Sequence, residues 1–270
     1  MKIALGLEYL GSRFCGWQFQ SHAHTVQECV ETALSQVANH PVQVICAGRT
    51  DTGVHALEQV IHTEVTAQRS LRTWVLGGNR YLPQDISILW AHPVEESFHA
   101  RFSVLERHYC YLILNRMSRP ALFMDRVTWE CRPLDEQSMQ SAANHLLGTH
   151  DFTSYRSSAC QAKNPIRTIN QISVYRENEW IILEVSANAF LHHMVRNIAG
   201  VLMAIGRGEH PPWWAKTVLE AKDRKVAGVT APAEGLYLSQ IDYPKSYGLP
   251  TTRGKKNLAW MRHLSSEVKA

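Results

Sequence analysis

Segments with the period of a strand and segments with the period of a helix alternate along this 270-residue chain, which predicts a mixed α and β protein. The series begins again near Ser103, so the chain reads as two halves on one strand-and-helix plan, although no close internal repeat backs a duplication. A hydrophobic content of 45% supplies apolar surface for one core or for two packed subdomains.

The elements follow in order. Residues 2–9 alternate toward Tyr9 like a strand. Thr25 starts a helix, with Glu28 completing a capping box and Val26, Cys29, Val30, Ala33, Leu34 and Val37 on one face. Strands are expected at 42–47 and 58–65, a helix capped by Ser70 and reaching about Gly77, and a strand at 86–91. In the second series, strands are expected at 107–114 and near 127–131, then a helix from about Asp135 to Leu147, ended by Gly148. Strands near 168–176 and 180–186, a helix from about 189 to 205, a short helix near 212–221 and a strand at 236–241 complete it. This divides the chain into 1–104, 105–246 and a basic tail at 247–270, where a mobile solvated segment is the better reading than an RNA arm.

Composition narrows the function. No apolar run approaches the roughly 20 residues of a membrane helix, and Glu8 interrupts what would be the apolar core of a signal peptide, so a cytoplasmic protein is expected. The six cysteines form no Cys-x-x-Cys pair and read as reduced thiols. Fourteen histidines fall in no metal-binding spacing, and His192 and His193 read as neighbours on different sides of a helix, so no metal is expected. A net charge of +4 permits an anionic partner without requiring one.

The loop Gly48-Arg49-Thr50-Asp51-Thr52-Gly53-Val54-His55 follows an apolar run and places a guanidinium and a lone carboxylate between glycines. Asp51 reads either as a functional carboxylate displayed on a scaffold or as a turn-capping aspartate. The chain has neither a P-loop nor a Gly-x-Gly-x-x-Gly string, so nucleotide-cofactor readings are weak. In the helix near 189–205, Phe190, Met194, Val195, Ile198, Leu202 and Ile205 form an apolar arc opposite Arg196, His193, Gly200 and Arg207, a basic face that alone would be read as solvated. Tyr109 and Tyr111 share one side of an interior strand, as core residues or as a stacking surface for a base. The aromatic segments 14–18 and 98–103 fit core packing and RNA contact equally well.

Together these segments resemble the tRNA pseudouridine synthase A family. The resemblance runs from Lys2 to about Pro244 and is carried by 48–55, Phe98-His99-Ala100-Arg101-Phe102-Ser103, Arg107-His108-Tyr109-Cys110-Tyr111, His150-Asp151-Phe152-Thr153-Ser154, Phe190-Leu191-His192-His193-Met194-Val195-Arg196-Asn197 and Glu234-Gly235-Leu236-Tyr237-Leu238. It implies a cofactor-independent isomerase that converts uridine to pseudouridine at positions 38, 39 and 40 of the tRNA anticodon stem-loop, acting as a homodimer. It implies an α+β fold of two ferredoxin-like halves, similar to RNA-recognition modules, that share an extended mixed, mainly antiparallel sheet with helices on one side and a central cleft. Carried over by position, Asp51 matches the catalytic aspartate, Arg196 its basic partner, Tyr109 the tyrosine at the target base, and Arg49 an arginine assisting extrusion of that base. Leu10, Phe19, Thr52, His108 and Cys110 depart from the family's usual residues, and these bear on tRNA contacts and their salt dependence. An RNA-binding module without catalysis and an N-glycosidic hydrolase are the competing readings, disfavoured by the absence of an RNP1-type string and of a second acid in the Asp51 loop.

Overall fold

A computed structural model of the chain describes residues 1–250, so the expected basic tail lies, from residue 251 on, outside the described residues. In chain order the elements are β1 (Lys2–Tyr9), α1 (Val26–Ala38), β2 (Ile45–Cys46), β3 (His55–Glu64), α2 (Leu71–Tyr81), β4 (Ile86–Pro93), β5 (Glu106–Asn115), β6 (Thr128–Glu130), α3 (Glu136–Asn144), β7 (Gly148–Asp151), β8 (Ile166–Glu177), β9 (Trp180–Ala187), α4 (Met194–Gly206), α5 (Trp214–Ala221) and β10 (Leu236–Asp242). They form two compact units. The first holds Met1–Leu105 and the described residues from Tyr237 onward; the second holds Glu106–Leu236. These units differ from the sequence division at the last strand, because Tyr237 and Leu238 of β10 pair in parallel with His55 and Ala56 of β3.

In the first unit β1 lies antiparallel between β3 and β4, and β2 pairs with β3 at Ile61 and His62. That is the 4-1-3-2 strand order of a ferredoxin-like βαββαβ unit. Thr25 caps α1 by accepting the Glu28 N–H (3.4 Å), as the capping box predicts. Val26, Val30, Ala33, Leu34 and Val37 are buried, and α1 packs on α2, so the two helices cover one face of the sheet. Helix α2 runs four residues past Gly77 because its core side continues. Gly78 is buried, and the Asn79 side chain makes two hydrogen bonds to the backbone of Ile88 in β4 (2.7 and 2.9 Å).

In the second unit β5, β9, β8 and β7 follow one another antiparallel, and β6 joins the end of β5 in parallel. Helix α3 packs on β8 and on α4. It ends at Asn144, earlier than expected, since Gly148 opens β7 rather than closing the helix. Helix α4 begins at Met194 instead of near 189, and most of its residues are buried. The arc of Met194, Val195, Ile198, Leu202 and Ile205 is in the core, as its spacing predicts. Among the described residues, no helix is long and apolar enough to cross a membrane.

Candidate active site

Residues 48–54 connect β2 to β3, and a frame of buried polar side chains sets their shape. Gln59, inside β3, donates from Nε2 to the Gly48 carbonyl (2.6 Å) and accepts the Gly48 N–H at Oε1 (3.3 Å). Its Nε2 also reaches the Tyr9 hydroxyl (3.4 Å), which shares a hydrogen bond with Thr50 Oγ1 (2.8 Å). Tyr9, Thr50 and Gln59 are all buried, so their mutual bonds replace those to water and hold the loop in one geometry.

A second strap comes from the other side. The Trp17 N–H donates to the Thr50 carbonyl (3.0 Å) and the Gly53 N–H to the Phe14 carbonyl (3.4 Å). Gly16 has φ +84°, and a Cβ there would lie 2.8 Å from the Thr50 carbonyl oxygen, so only glycine fits against the loop. Phe14 and Trp17 are buried; of the two readings open for 14–18, core packing holds for these rings, Trp17 against Tyr9 and Phe14 against His24. On this support Arg49 is exposed and Asp51 half-buried, with the Asp51 carbonyl accepting the Val54 N–H (3.1 Å). A cleft of about 670 Å³ in the same unit, lined in part by Phe19, Gln27, Glu31 and Ile45, includes neither Arg49 nor Asp51.

The second unit carries the other two candidates. Tyr109 lies on β5 opposite Val185 of β9, buried, with its ring edge-on to Phe190 (4.9 Å, 81°). Tyr111 is fully interior; its hydroxyl bonds to Thr128 Oγ1 (2.6 Å) and donates to the Pro232 carbonyl (2.8 Å). Burial pushes the Tyr111 phenol far above its ordinary value, so it stays protonated. Arg196, the third residue of α4, is half-buried and donates from Nε to the Ala231 carbonyl (2.9 Å), while the Ala231 N–H returns a bond to the Arg196 carbonyl (3.1 Å). Its helix face is therefore covered by the 229–231 segment rather than solvated.

His192 and His193 lie before the helix and not on it. His193 caps α4 in the left-handed conformation (φ 61°), which brings the two rings within 4.0 Å of each other. In the segment 98–103 the two readings separate by residue: Phe98 is buried against His62, Tyr243 and Tyr247, whereas Phe102 is 75% exposed. Sequence reasoning passed over Tyr9, Gly16, Gln59 and the 229–231 segment. For Gln59 the signal was a glutamine in the middle of a strand-like run; the other three carry no local pattern that points to the loop.

The fold and this loop define an α+β protein that presents a guanidinium and a carboxylate on a pre-shaped support. The comparisons make that class specific. Residues 7–103 and 142–244 match the family model described as tRNA pseudouridine synthase. A tRNA pseudouridine synthase A of Nitrosococcus oceani is 58% identical over 93% of this chain and 96% of its own length. Proteins of the same name from Alcanivorax borkumensis and Coxiella burnetii (strain Dugway 5J108-111) are 54% and 56% identical, each over 92% of this chain and 94% and 95% of theirs. The chain belongs to the tRNA pseudouridine synthase family, whose members are isomerases of uridine in tRNA, and the resemblance carried by its motifs is borne out.

Proposed function

We propose that this protein converts uridine to pseudouridine at positions 38, 39 and 40 of the tRNA anticodon stem-loop, with Asp51 as the catalytic carboxylate acting on a flipped-out base. The observation that carries the reading is the double support of the Asp51 loop, Gln59 and Tyr9 on one side and Gly16 and Trp17 on the other. A residue whose only task is to cap a turn does not call for so much buried polar structure around it.

A uracil stacked in an RNA stem is out of reach of any side chain, so it is extruded into the site, with Arg49 assisting and the Tyr109 ring offsetting the lost stacking. The glycosidic C1′–N1 bond breaks, the uracil turns while held, and a C1′–C5 bond forms. The C5 proton leaves to solvent and N1 takes one up, so atoms and charge balance with no net electron transfer and no redox cofactor. Asp51 drives this by covalent attack or by assisting removal of a ribose proton. Arg196 is its basic partner.

Exposed Phe102, stacked on His99 (4.3 Å) with the Arg101 guanidinium 5.6 Å from its ring centre, offers RNA a flat ring beside a cation. A cytoplasmic homodimer acting without a metal completes the reading, and sedimentation of the purified protein tests the dimer.

The chemical test uses unmodified tRNA transcript tritiated at uracil C5. Tritium released to solvent with the RNA chain intact supports isomerisation. Free uracil would point to hydrolysis, and binding without either outcome would sink the catalytic reading.

A further inference from the structure

We propose that Arg224 is a positioning residue for Arg196, acting through the chain segment 227–231 that lies across α4. The inference rests on the reading of Arg196 as the basic partner of Asp51. Ala231 helps to direct Arg196: it accepts the Arg196 Nε–H and returns its own N–H to the Arg196 carbonyl, a two-point clasp at the first turn of the helix. The aim of the Arg196 side chain therefore depends on the placement of the Ala231 backbone.

That placement comes from Arg224. Its Nη1 donates to the carbonyls of Ala227 (2.6 Å) and Gly228 (3.0 Å), and its Nη2 to Thr230 Oγ1 (2.8 Å) and Asn197 Oδ1 (3.1 Å). Thr230 Oγ1 donates in turn to Asn197 Oδ1 (2.7 Å), and Asn197 Nδ2 to the Tyr155 carbonyl (2.8 Å), so the knot is anchored on the residue next to Arg196 and in the core. A planar fork with several donors suits the task, since one guanidinium ties two turn carbonyls and two side chains at once. The close fit depends also on Gly200, one helical turn beyond Arg196, where a Cβ would overlap the Val229 carbonyl oxygen. Beyond the clasp, Pro232 accepts the Tyr111 hydroxyl, so the same segment reaches β5 two residues from Tyr109.

A bracing segment that only stabilised the fold would change melting temperature and leave the chemical step alone. A positioning segment changes the step itself, because a misplacement on the order of 1 Å costs on the order of 10²-fold in rate. The experiment is single-turnover pseudouridylation, with enzyme in excess, by Arg224→Ala and by the milder Thr230→Val, each also in an Arg196→Lys background, which lacks the Nε–H that Ala231 holds. Arg224→Ala is expected to lower the rate constant 10- to 100-fold with tRNA affinity within twofold of the parent, Thr230→Val less, and neither to slow Arg196→Lys further. Unchanged turnover in Arg224→Ala and Thr230→Val, or the same fold-loss in the Arg196→Lys background as in the parent, overturns the positioning role while leaving Arg196 in place. Parental turnover in Arg196→Lys and in Arg196→Ala removes Arg196 from the chemistry, and the positioning role falls with it.

Discussion

The Asp51 loop and the start of α4 are both held by chain far away in sequence, but they are held differently. Around Asp51 the holding groups are interior: Tyr9, Thr50 and Gln59 are buried, and the backbone straps come from Phe14 and Trp17, two residues buried in the core. Around Arg196 the holding segment runs between interior and surface: Ala227 and Ala231 are buried, Val229 between them is 85% exposed, and the segment is tied by one half-buried guanidinium. Interior frames open only with the unit that contains them, whereas surface segments open at lower free energy. The Asp51 loop is thus held by an interior frame, and the start of α4 in part by a clasp that Arg224 ties.

The largest effect should come from the side that the fold fixes. Asp51→Asn keeps the loop's shape and removes the charge, so turnover should fall by on the order of 10⁴-fold or more, the scale on which removing a catalytic carboxylate is felt. Affinity for tRNA should stay close to that of the parent, as measured by filter binding. Equal loss of both would mean that Asp51 is structural.

Gln59→Leu attacks the frame without touching the charge. It leaves both backbone groups of half-buried Gly48 without their side-chain partner, which should cost about 1–3 kcal/mol of stability. Turnover should drop along with the melting temperature. By contrast, Arg224→Ala should lower turnover with little thermal effect. If the two variants behave alike, the contrast between an interior frame and a surface clasp is false. Gly16→Ala sharpens the same point from the opposite strap: a left-handed φ and a crowded Thr50 carbonyl predict a loss of about 1–2 kcal/mol, measurable by chemical denaturation.

These variants also mark what the sequence reveals. The capping box at Thr25, the apolar arc of α4 and the interior strand with Tyr109 were legible because each is a local pattern with a fixed period. The ordered motifs picked out Asp51 and its loop. Its support was not legible, since Gln59 and Tyr9 sit 50 positions apart and meet only through strand pairing. The start of α4 was misplaced by five residues, because Phe190 falls on the apolar arc of the helix while His193 takes a left-handed conformation that no period announces. The cover over Arg196 was not legible for a similar reason: helical spacing says which side a residue faces, and not which distant segment will cover it.

The smallest effect distinguishes the two regions by pH. Glu58, beside Gln59 on β3, is buried, and burial, followed by the nearby charge of Asp242, pushes its carboxyl up to about 8. Between about 4.5 and about 8 the folded protein keeps a proton that the unfolded chain has released, so this group's contribution to stability is lost as pH rises through that window. His62, on the same strand, runs the other way. Burial, then the charges of His99 and Lys2, lower it to about 4, so stability from this group is lost as pH falls from about 6.5 toward about 4. The two slopes oppose each other below about 6.5 and leave a net decline from there to about 8. Glu58→Gln should flatten that decline in denaturation measured across the range, whereas Arg224→Ala should keep it, because the titrating carboxyl belongs to the unit that carries Asp51. A decline that survives in Glu58→Gln would place the titrating group elsewhere and leave the interior frame without a pH signature of its own.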